Sequence, residues 1–291
     1  MEIDYQEPLF RPPSEAQSLI LQATLGCSHN RCAFCSMYRT KRFTVRPFAA
    51  LQAEIAAARR ALSPDVGRVF LADGDAMCLS ARRLIAILDA LNTAFPQLQR
   101  VSAYANARDV ASKSDPELAE LRRRKLKLLF LGLESGDDET LRAVCKGATV
   151  AEIVTAVKRA SAAGISTSVM VLIGLAGRQR SLEHARLSAD AVNRMAPTYT
   201  ALLTYTPVPG TPLQQQIDQG RFELPGPMES LAEIREFVRN LDCATYFTCN
   251  HASNYLPLRG RMPSAKREML ACLDAALAGM IPLRPEFLRG L

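Results

Sequence analysis

Short apolar runs rich in β-branched residues alternate with amphipathic helical stretches between Leu19 and Leu213 of this 291-residue chain. This alternation predicts repeated strand–helix units, whose strands pair in parallel because a helix separates each strand from the next. Two of the runs are almost continuously apolar, which is typical of strands that are buried on both faces. The predicted strands are Leu19–Leu25, Arg68–Ala72, Arg100–Ala105, Lys127–Leu133, Ser166–Gly174 and Tyr199–Tyr205.

The alternation of predicted strands and helices ends at Pro207, and Pro and Gly are frequent in the residues that follow. Two helical segments, at about Ser230–Leu241 and Ser264–Ala278, then flank a non-helical stretch. We therefore predict an α/β fold, in which residues 1–213 form a partial (β/α)6 TIM-like barrel. Residues 214–291 are predicted to form a small C-terminal helical extension that covers the barrel mouth.

Composition and charge indicate the compartment in which the protein works and the classes of partner it can bind. No stretch approaches the ~20 apolar residues of a membrane span, and no basic-then-apolar leader is visible, so we predict a cytoplasmic protein without a membrane partner. Its eight cysteines are then expected to be reduced thiols. The net charge of +7 includes a dense basic run, 122–127, at the end of a predicted helix, where cations suit the helix dipole. The same run leaves RNA open as a partner, through contacts to phosphates.

Three of the cysteines, Cys27, Cys32 and Cys35, lie in one short loop directly after the first predicted strand. In parallel barrels the loops after the strands carry the chemistry, so this loop is a candidate metal centre. A structural zinc site takes four nitrogen or sulfur ligands, and His29 would complete such a set in a non-enzymatic zinc-binding module. A [4Fe–4S] cluster normally takes four cysteines, and three would leave one iron open to an external ligand. The residue types alone leave both metals open.

The cysteine loop resembles the cluster motif of the radical S-adenosylmethionine (radical SAM) superfamily, although four residues separate its first two cysteines where three are common. Four further segments resemble parts of the same superfamily, in the same order along the chain. Asp73–Asp75 stands where the superfamily has a Gly-Gly-Glu-like turn, and Val171–Leu175 resembles the Gly-x-Ile-x-Gly region that packs on adenine. Gly132–Gly136 and Pro209–Leu213 resemble segments of the subgroup that includes methylthiotransferases and coproporphyrinogen-type enzymes.

This resemblance implies two cofactors, a [4Fe–4S] cluster bound by the three cysteines and S-adenosylmethionine. It implies that the Asp73–Asp75 turn holds the amino group of the methionine part and that Glu134 accepts hydrogen bonds from the ribose. Arg108 has the planar fork that matches the cofactor carboxylate. The predicted cofactor-binding residues are Phe34, Asp73, Gly74, Asp75, Asn106, Arg108, Glu134, Ser168, Ile173 and Tyr205.

The segment Tyr246–Tyr255 is rich in polar and aromatic groups and is similar to a His-Ala-Ser-Asn-Tyr stretch of stand-alone members of the superfamily. We predict that three of its residues close the barrel mouth and contact the substrate or move a proton: His251, Asn254 and Tyr255. The alternative for this segment is a hydrogen-bonded structural loop.

The resemblance predicts an enzyme that cleaves S-adenosylmethionine reductively and uses the 5′-deoxyadenosyl radical to abstract hydrogen from a small-molecule substrate. A reducing partner such as flavodoxin or ferredoxin would supply the electron. Two alternatives remain, a radical SAM enzyme that modifies RNA and the structural zinc module. Cys243, Cys249 and Cys272 lack the paired spacing of an auxiliary cluster, so a single cluster is predicted.

Overall fold

The computed structural model describes residues 5–62 and 65–290. The strands of these residues are β1 (Leu19–Leu21), β2 (Thr24–Leu25), β3 (Thr44–Val45), β4 (Arg68–Leu71), β5 (Arg100–Ala105), β6 (Leu126–Glu134), β7 (Ser166–Ile173), β8 (Tyr199–Thr204), β9 (Thr245–Thr248) and β10 (Arg259–Met262). The helices are α1 (Phe48–Ala61), α2 (Ala81–Ala94), α3 (Ala107–Ala111), α4 (Asp115–Arg123), α5 (Asp138–Ala143), α6 (Val150–Ala162), α7 (Ser181–Met195), α8 (Pro212–Asp218), α9 (Pro227–Asn240) and α10 (Lys266–Leu277).

Eight of the strands form one sheet in the order β1-β4-β5-β6-β7-β8-β9-β10, while β2 and β3 form a separate two-stranded ladder. The pairs β1–β4, β4–β5 and β5–β6 are parallel, as are β7–β8 and β8–β9. Strands β9 and β10, at one end of this sheet, pair antiparallel. This confirms the predicted α/β class with a mostly parallel central sheet, consistent with a partial TIM-like barrel.

The chain divides into two compact units. The first comprises the residues up to Asn30, Met37–Leu131 and Arg159–Thr167, and the second comprises Arg31–Ser36, Gly132–Lys158 and the residues from Ser168 onward. In the first unit, Leu84, Leu88 and Leu91 of α2 are fully buried, because their spacing places them on one face of the helix. In the second unit, Phe237 of α9 stacks on Phe247 of β9 with ring centroids 6.3 Å apart.

The strand predicted over Leu19–Leu25 is wrong as a single element, because it breaks at Gln22 into β1 and β2. The side chain of Arg46 binds the carbonyl oxygen of Gln22 at 3.1 Å, and the buried Gln22 amide turns towards the carboxylate of Asp73. These contacts divert the backbone, and β2 pairs with β3 instead of continuing in the sheet.

The predicted C-terminal extension contains strands as well as helices. The stretch between the two predicted helical segments forms β9 and β10, and β9 adds to the sheet in parallel with β8. The predicted non-helical stretch thus consists partly of strands, and both the boundary after residue 213 and the covering of the barrel mouth stay predictions. In the part of the chain that the structure describes, no helix is both long and apolar enough to cross a membrane.

Candidate active site

The first cysteine of the loop is packed against the turn that follows β4. The peptide of Gly26 is held there, because the backbone N–H of Gly74 donates to the carbonyl oxygen of Gly26 at 2.9 Å. A side chain at position 74 would place its Cβ 2.7 Å from Cβ of Cys27 and 2.9 Å from the ring of Tyr38. Glycine is therefore required at position 74 for this close approach.

The carboxylate of Asp73 points away from solvent and towards the loop. Its Oδ2 accepts hydrogen bonds from the backbone N–H of Gly26 at 2.7 Å and from Nζ of Lys41 at 3.0 Å. Its Oδ1 accepts from the side-chain amide of Gln22 at 3.1 Å. Because these internal donors engage both oxygens, Asp73 serves as a structural anchor of the loop in this unit.

Asp75, by contrast, is the centre of a polar network at the ends of β4 and β5. Its fully buried carboxylate accepts hydrogen bonds from the hydroxyl of Ser28 and, at 2.8 Å, from Nδ2 of Asn106. Arg108 donates to the same Ser28 hydroxyl and lies 3.9 Å from the Asp75 carboxylate. The Arg108 side chain is 46% exposed, so its guanidinium retains an open face for an anion.

A second carboxyl group lies beside Asp75. The pKa of Asp109 rises to about 7, first because the group is buried and next because the Asp75 carboxylate lies next to it. Burial also raises the pKa of the neighbouring Cys78 thiol to about 12, which keeps it protonated. The ammonium of Lys113, itself buried, donates to the carbonyl oxygens of Met77 and Asp109 at 2.5 and 2.9 Å.

In the second unit, the segment that carries Cys32 and Cys35 is held through Ala33. The backbone N–H of Ala33 donates to the carbonyl of Val144 at 2.8 Å, and its carbonyl accepts from the N–H of Leu213 at 3.0 Å. Phe34 packs against an apolar cluster made of Ala33, Val144, Leu175, Tyr205 and Leu213. The predicted cofactor-binding residues Phe34 and Tyr205 therefore meet in this cluster, which also contains Leu175 of the turn after β7.

Glu134 ends β6 in the left-handed region, with φ of 62°. Its carboxylate pairs with Nζ of Lys146 at 2.9 Å, and both side chains are largely buried. A Cβ at Gly132 would lie 1.8 Å from Oε1 of Glu134, so the side chain folds back over the glycine. Lys146, which the sequence analysis missed, places a cation next to the predicted ribose ligand.

The turn after β7 is fastened by a buried carboxylate from α9. Glu233 accepts hydrogen bonds from the backbone N–H of Gly174 at 3.0 Å and from the hydroxyl of Ser181 at 2.5 Å. Nδ1 of His184 lies 2.8 Å from the same carboxylate.

The predicted cofactor-binding residues Ile173 and Ser168 lie at opposite ends of β7. Ile173 is fully buried at the carboxyl end of the strand. Ser168 is the third residue of the strand and lies near its amino end, roughly 17 Å from Ile173 at ~3.3 Å per residue.

The C-terminal residues predicted to be catalytic form a hydrogen-bonded turn. Asn254 is fully buried, accepts from the hydroxyl of Thr204 at 2.9 Å and donates to the carbonyl of Leu202 at 2.8 Å. Tyr255 donates to Glu286 at 2.5 Å. His251 is half-buried, and its Nδ1 lies 2.9 Å from the hydroxyl of Ser253. Burial, together with the charge of Arg284, lowers the pKa of His251 and favours the neutral imidazole.

The side chains of Asn254 and Tyr255 are therefore engaged in holding this turn, which is the structural alternative that the sequence analysis left open. The backbone is fastened as well, because Arg284 donates to the carbonyl oxygens of His251, Ala252 and Asn254 at 2.8–3.0 Å. Of the three predicted residues, His251 keeps the ring nitrogen Nε2 for other contacts, and a catalytic role for the three stays a prediction.

The residues present fit an iron–sulfur cluster that leaves one iron open. Cys27, Cys32 and Cys35 are all of intermediate burial, neither enclosed in a core nor fully exposed to solvent. Thiolate ligation is the chemistry by which proteins hold such clusters. Among residues 5–62 and 65–290, no three His, Cys, Asp or Glu side chains come together as a site for a single metal ion.

The sequence profile of the radical SAM superfamily matches residues 21–186, which is more than half of the chain. The chain therefore belongs to the radical SAM superfamily. This is the class of iron–sulfur enzymes that bind a [4Fe–4S] cluster and S-adenosylmethionine, so the recognition made from the cysteine loop is confirmed.

The chain is similar to the heme chaperone HemW of Bacillus subtilis (strain 168), with 23% identity over 176 residues that cover 60% of this chain and 46% of HemW. Among solved structures, coproporphyrinogen III oxidase (HemN) from Escherichia coli is similar with a TM-score of 0.62 and 20% identity, covering 76% of this chain and 51% of HemN. The methyltransferase TsrM from Kitasatospora setae, solved with cobalamin and a [4Fe–4S] cluster bound, is similar with a TM-score of 0.55 and 19% identity, covering 70% of this chain and 39% of TsrM. The chain thus spans about half the length of HemW and HemN.

Proposed function

We propose that the protein cleaves S-adenosylmethionine reductively and that the resulting radical abstracts hydrogen from a small-molecule substrate. The observation that carries this proposal is the packing of Cys27 against Gly74 in the Asp73–Asp75 turn. That packing brings the first predicted cluster ligand to the turn predicted to hold the cofactor. When bound at Cys27, Cys32 and Cys35, the cluster supplies the electron that splits S-adenosylmethionine into methionine and a 5′-deoxyadenosyl radical.

The polar groups at the ends of β4 and β5 suit the methionine part of the cofactor. Asp75 carries the negative charge that an ammonium group requires, and Asn106 and Ser28 orient its carboxylate. Arg108 has an open guanidinium face for the carboxylate, which it would bind in two-point geometry. These roles extend the predicted functions of Gly74 and Asp75, whereas Asp73 acts on the loop.

The second unit offers groups for the adenosine part. Glu134 accepts hydrogen bonds from ribose hydroxyls, and the ion pair with Lys146 orients its carboxylate. Phe34, Tyr205 and the turn at Ile173 present apolar surface for the adenine ring. Burial of apolar surface around a reactive intermediate also excludes water, which is the contribution that a protein makes to radical chemistry.

The turn that carries His251 would contact the substrate, and the neutral imidazole of His251 can accept a proton. A small reducing protein such as flavodoxin or ferredoxin would deliver the electron. The chain spans about half of the relatives compared above, so the substrate specificity belongs to this proposal rather than to the family match.

The test is anaerobic reconstitution with iron and sulfide, followed by the visible spectrum and by 5′-deoxyadenosine release after addition of dithionite and S-adenosylmethionine. The wild type should be brown and release 5′-deoxyadenosine, whereas Cys32→Ala should lose both properties. Cys272→Ala, at a half-buried thiol on α10, is the matched control and should behave as the wild type. A colourless wild type with one tightly bound zinc and no cleavage would refute the proposal.

A further inference from the structure

Lys41 and Asp73 form an ion pair that is almost completely removed from water. The side chains are 5% and 0% exposed, and Nζ lies 3.0 Å from Oδ2. Nζ also donates to the carbonyl oxygen of Gln6 at 2.5 Å and lies 5.7 Å from the centre of the Tyr38 ring. Removing two charges from water costs free energy, so a fully buried ion pair needs additional hydrogen bonds that offset this cost.

The pair joins the two ends of the cysteine-bearing loop. Gly26, directly before Cys27, donates its N–H to the same Oδ2 atom that binds Lys41. Lys41 lies beyond the last cysteine and has its own N–H bonded to the carbonyl of Tyr38 at 3.1 Å. One carboxylate at the end of β4 therefore binds the chain on either side of the cysteines. We call these contacts of Asp73 with Gly26 and Lys41 the loop clasp.

The backbone at Asp73 shows why an aspartate can stand there. Its φ of 64° lies in the left-handed region, which favours glycine but which aspartate tolerates better than most residues. Position 73 is one of those at which this chain departs from the Gly-Gly-Glu-like turn of the superfamily. The carboxylate gained at that position is directed inward to the loop.

We propose that Lys41 and Asp73 are positioning residues, whose clasp holds Cys27 in place for the cluster before the cluster is bound. The inference rests on the proposed function for the identity of the cluster. The clasp itself consists of contacts within the apoprotein, and this allows its test to be separated from the test of the function.

The first measurement is hydrogen exchange of the Gly26 amide in the apoprotein. Asp73→Ala should speed this exchange by about tenfold or more, because the amide loses a bond to a charged acceptor. Asp73→Asn keeps an oxygen as acceptor and should give a smaller increase. Unchanged exchange in Asp73→Ala would overturn the clasp, whether or not the protein binds a cluster.

The second measurement is the rate at which a chelator removes iron from the reconstituted protein. Lys41→Met should lose its cluster about tenfold faster than the wild type, because the unpaired buried carboxylate no longer holds the loop. The matched control is Arg100→Met, which breaks the 2.7 Å pair of Arg100 with buried Glu15 in the same unit, away from the loop. It should lose stability but keep the wild-type rate.

Equal acceleration of iron loss in Lys41→Met and Arg100→Met would show a general effect of destabilisation and overturn the proposal. Wild-type rates in Lys41→Met would overturn it as well. Failure of the wild type itself to take up iron and sulfide would instead count against the proposed function, while the Gly26 exchange would still decide the clasp.

Discussion

Asp109 is a buried carboxyl group whose pKa lies far from its ordinary value. Its carboxyl is 7% exposed, and its pKa of about 7 lies well above the ordinary value of 3.8 because of burial and of the adjacent Asp75. Arg108 and Lys113 oppose the shift without cancelling it. In the folded protein the group therefore keeps its proton near neutral pH, whereas in the unfolded chain it is ionised.

This difference in protonation predicts that the stability of the fold depends on pH. Between about pH 4 and pH 7 the folded state binds more protons at Asp109 than the unfolded state, so the contribution of this group to stability falls as pH rises, by at most about 1.4 kcal/mol per pH unit. Asp109→Asn should remove this contribution. The measurement is urea unfolding of the apoprotein at pH 5, 6, 7 and 8.

The variant should gain stability relative to the wild type as pH rises from 5 to 7, with the difference becoming constant above pH 8. Asp89→Asn is the control, because Asp89 is an exposed carboxylate that pairs with Arg124 at the surface of the same unit. A constant difference between Asp109→Asn and the wild type across this range would contradict the assigned protonation.

At the scale of secondary-structure elements, α9 supports the turn after β7 through Glu233. The carboxylate is fully buried and serves the Gly174 amide, the Ser181 hydroxyl and the His184 ring. Pro225 adds a packing contact, because a Cβ at Gly174 would lie 3.2 Å from its Cγ. A helix of the C-terminal segment thus holds a turn predicted to contact the cofactor.

Glu233→Ala should therefore destabilise the protein by about 3 kcal/mol, because it strands buried hydrogen-bond donors. Denaturant unfolding of the apoprotein would measure the loss. Glu223→Ala is the control, since this 64% exposed side chain pairs with Arg178 at the surface and should change stability by less than about 1 kcal/mol. Equal losses in the two variants would argue against a special role for the buried network.

The elements also show what the sequence could predict. Strand β5 matches its predicted range Arg100–Ala105, because a buried parallel strand is marked by its own apolar run. Strands β9 and β10 were missed, because they are short and their pairing depends on distant strands. Periodicity within a segment carries no information on such partners.

The same distinction holds within the candidate site. The cysteines, Asp75 and Glu134 were predicted because each lies in a segment that resembles a superfamily motif at a strand end. Lys41, Lys146 and Glu233 were missed, since each acts through a partner 32, 12 or 59 residues away and stands in no motif. A single lysine or glutamate in a sequence is more often a solvated charge. Only the fold shows which of them are buried and paired.

At the scale of the whole molecule, the net charge of +7 bears on whether RNA is the substrate of the protein. The basic run 122–127 is largely engaged by the protein itself. Arg122 donates to the carbonyl of Gly164 at 2.7 Å, Arg124 pairs with Asp89 at 2.8 Å, and Arg123 pairs with Glu120. Charges that are already paired contribute less to binding phosphates, which favours the small-molecule substrate that we propose.

RNA should accordingly bind only in the non-specific range, with a Kd of about 10⁻⁴–10⁻⁶ M at physiological salt. Fluorescence anisotropy with labelled transfer RNA and with a single-stranded oligonucleotide, at 50 and 200 mM salt, would measure this. The rate of 5′-deoxyadenosine release should change by less than about twofold over the same salt range, because the carboxylates proposed to contact the cofactor, Asp75 and Glu134, are buried and salt screens buried charges weakly.

An RNA-modifying enzyme would behave differently in each respect. Six or more phosphate contacts would lower affinity by about 10³-fold or more between these salt concentrations. Added RNA would also stimulate cofactor cleavage, and the double variant Lys125→Gln/Lys127→Gln would weaken both binding and stimulation. Because neither lysine touches the candidate site in the first unit, loss of both properties in this variant would assign the basic run to the substrate. If cleavage is the same with and without RNA, the basic run 122–127 has no role in substrate binding and is simply the solvated end of α4.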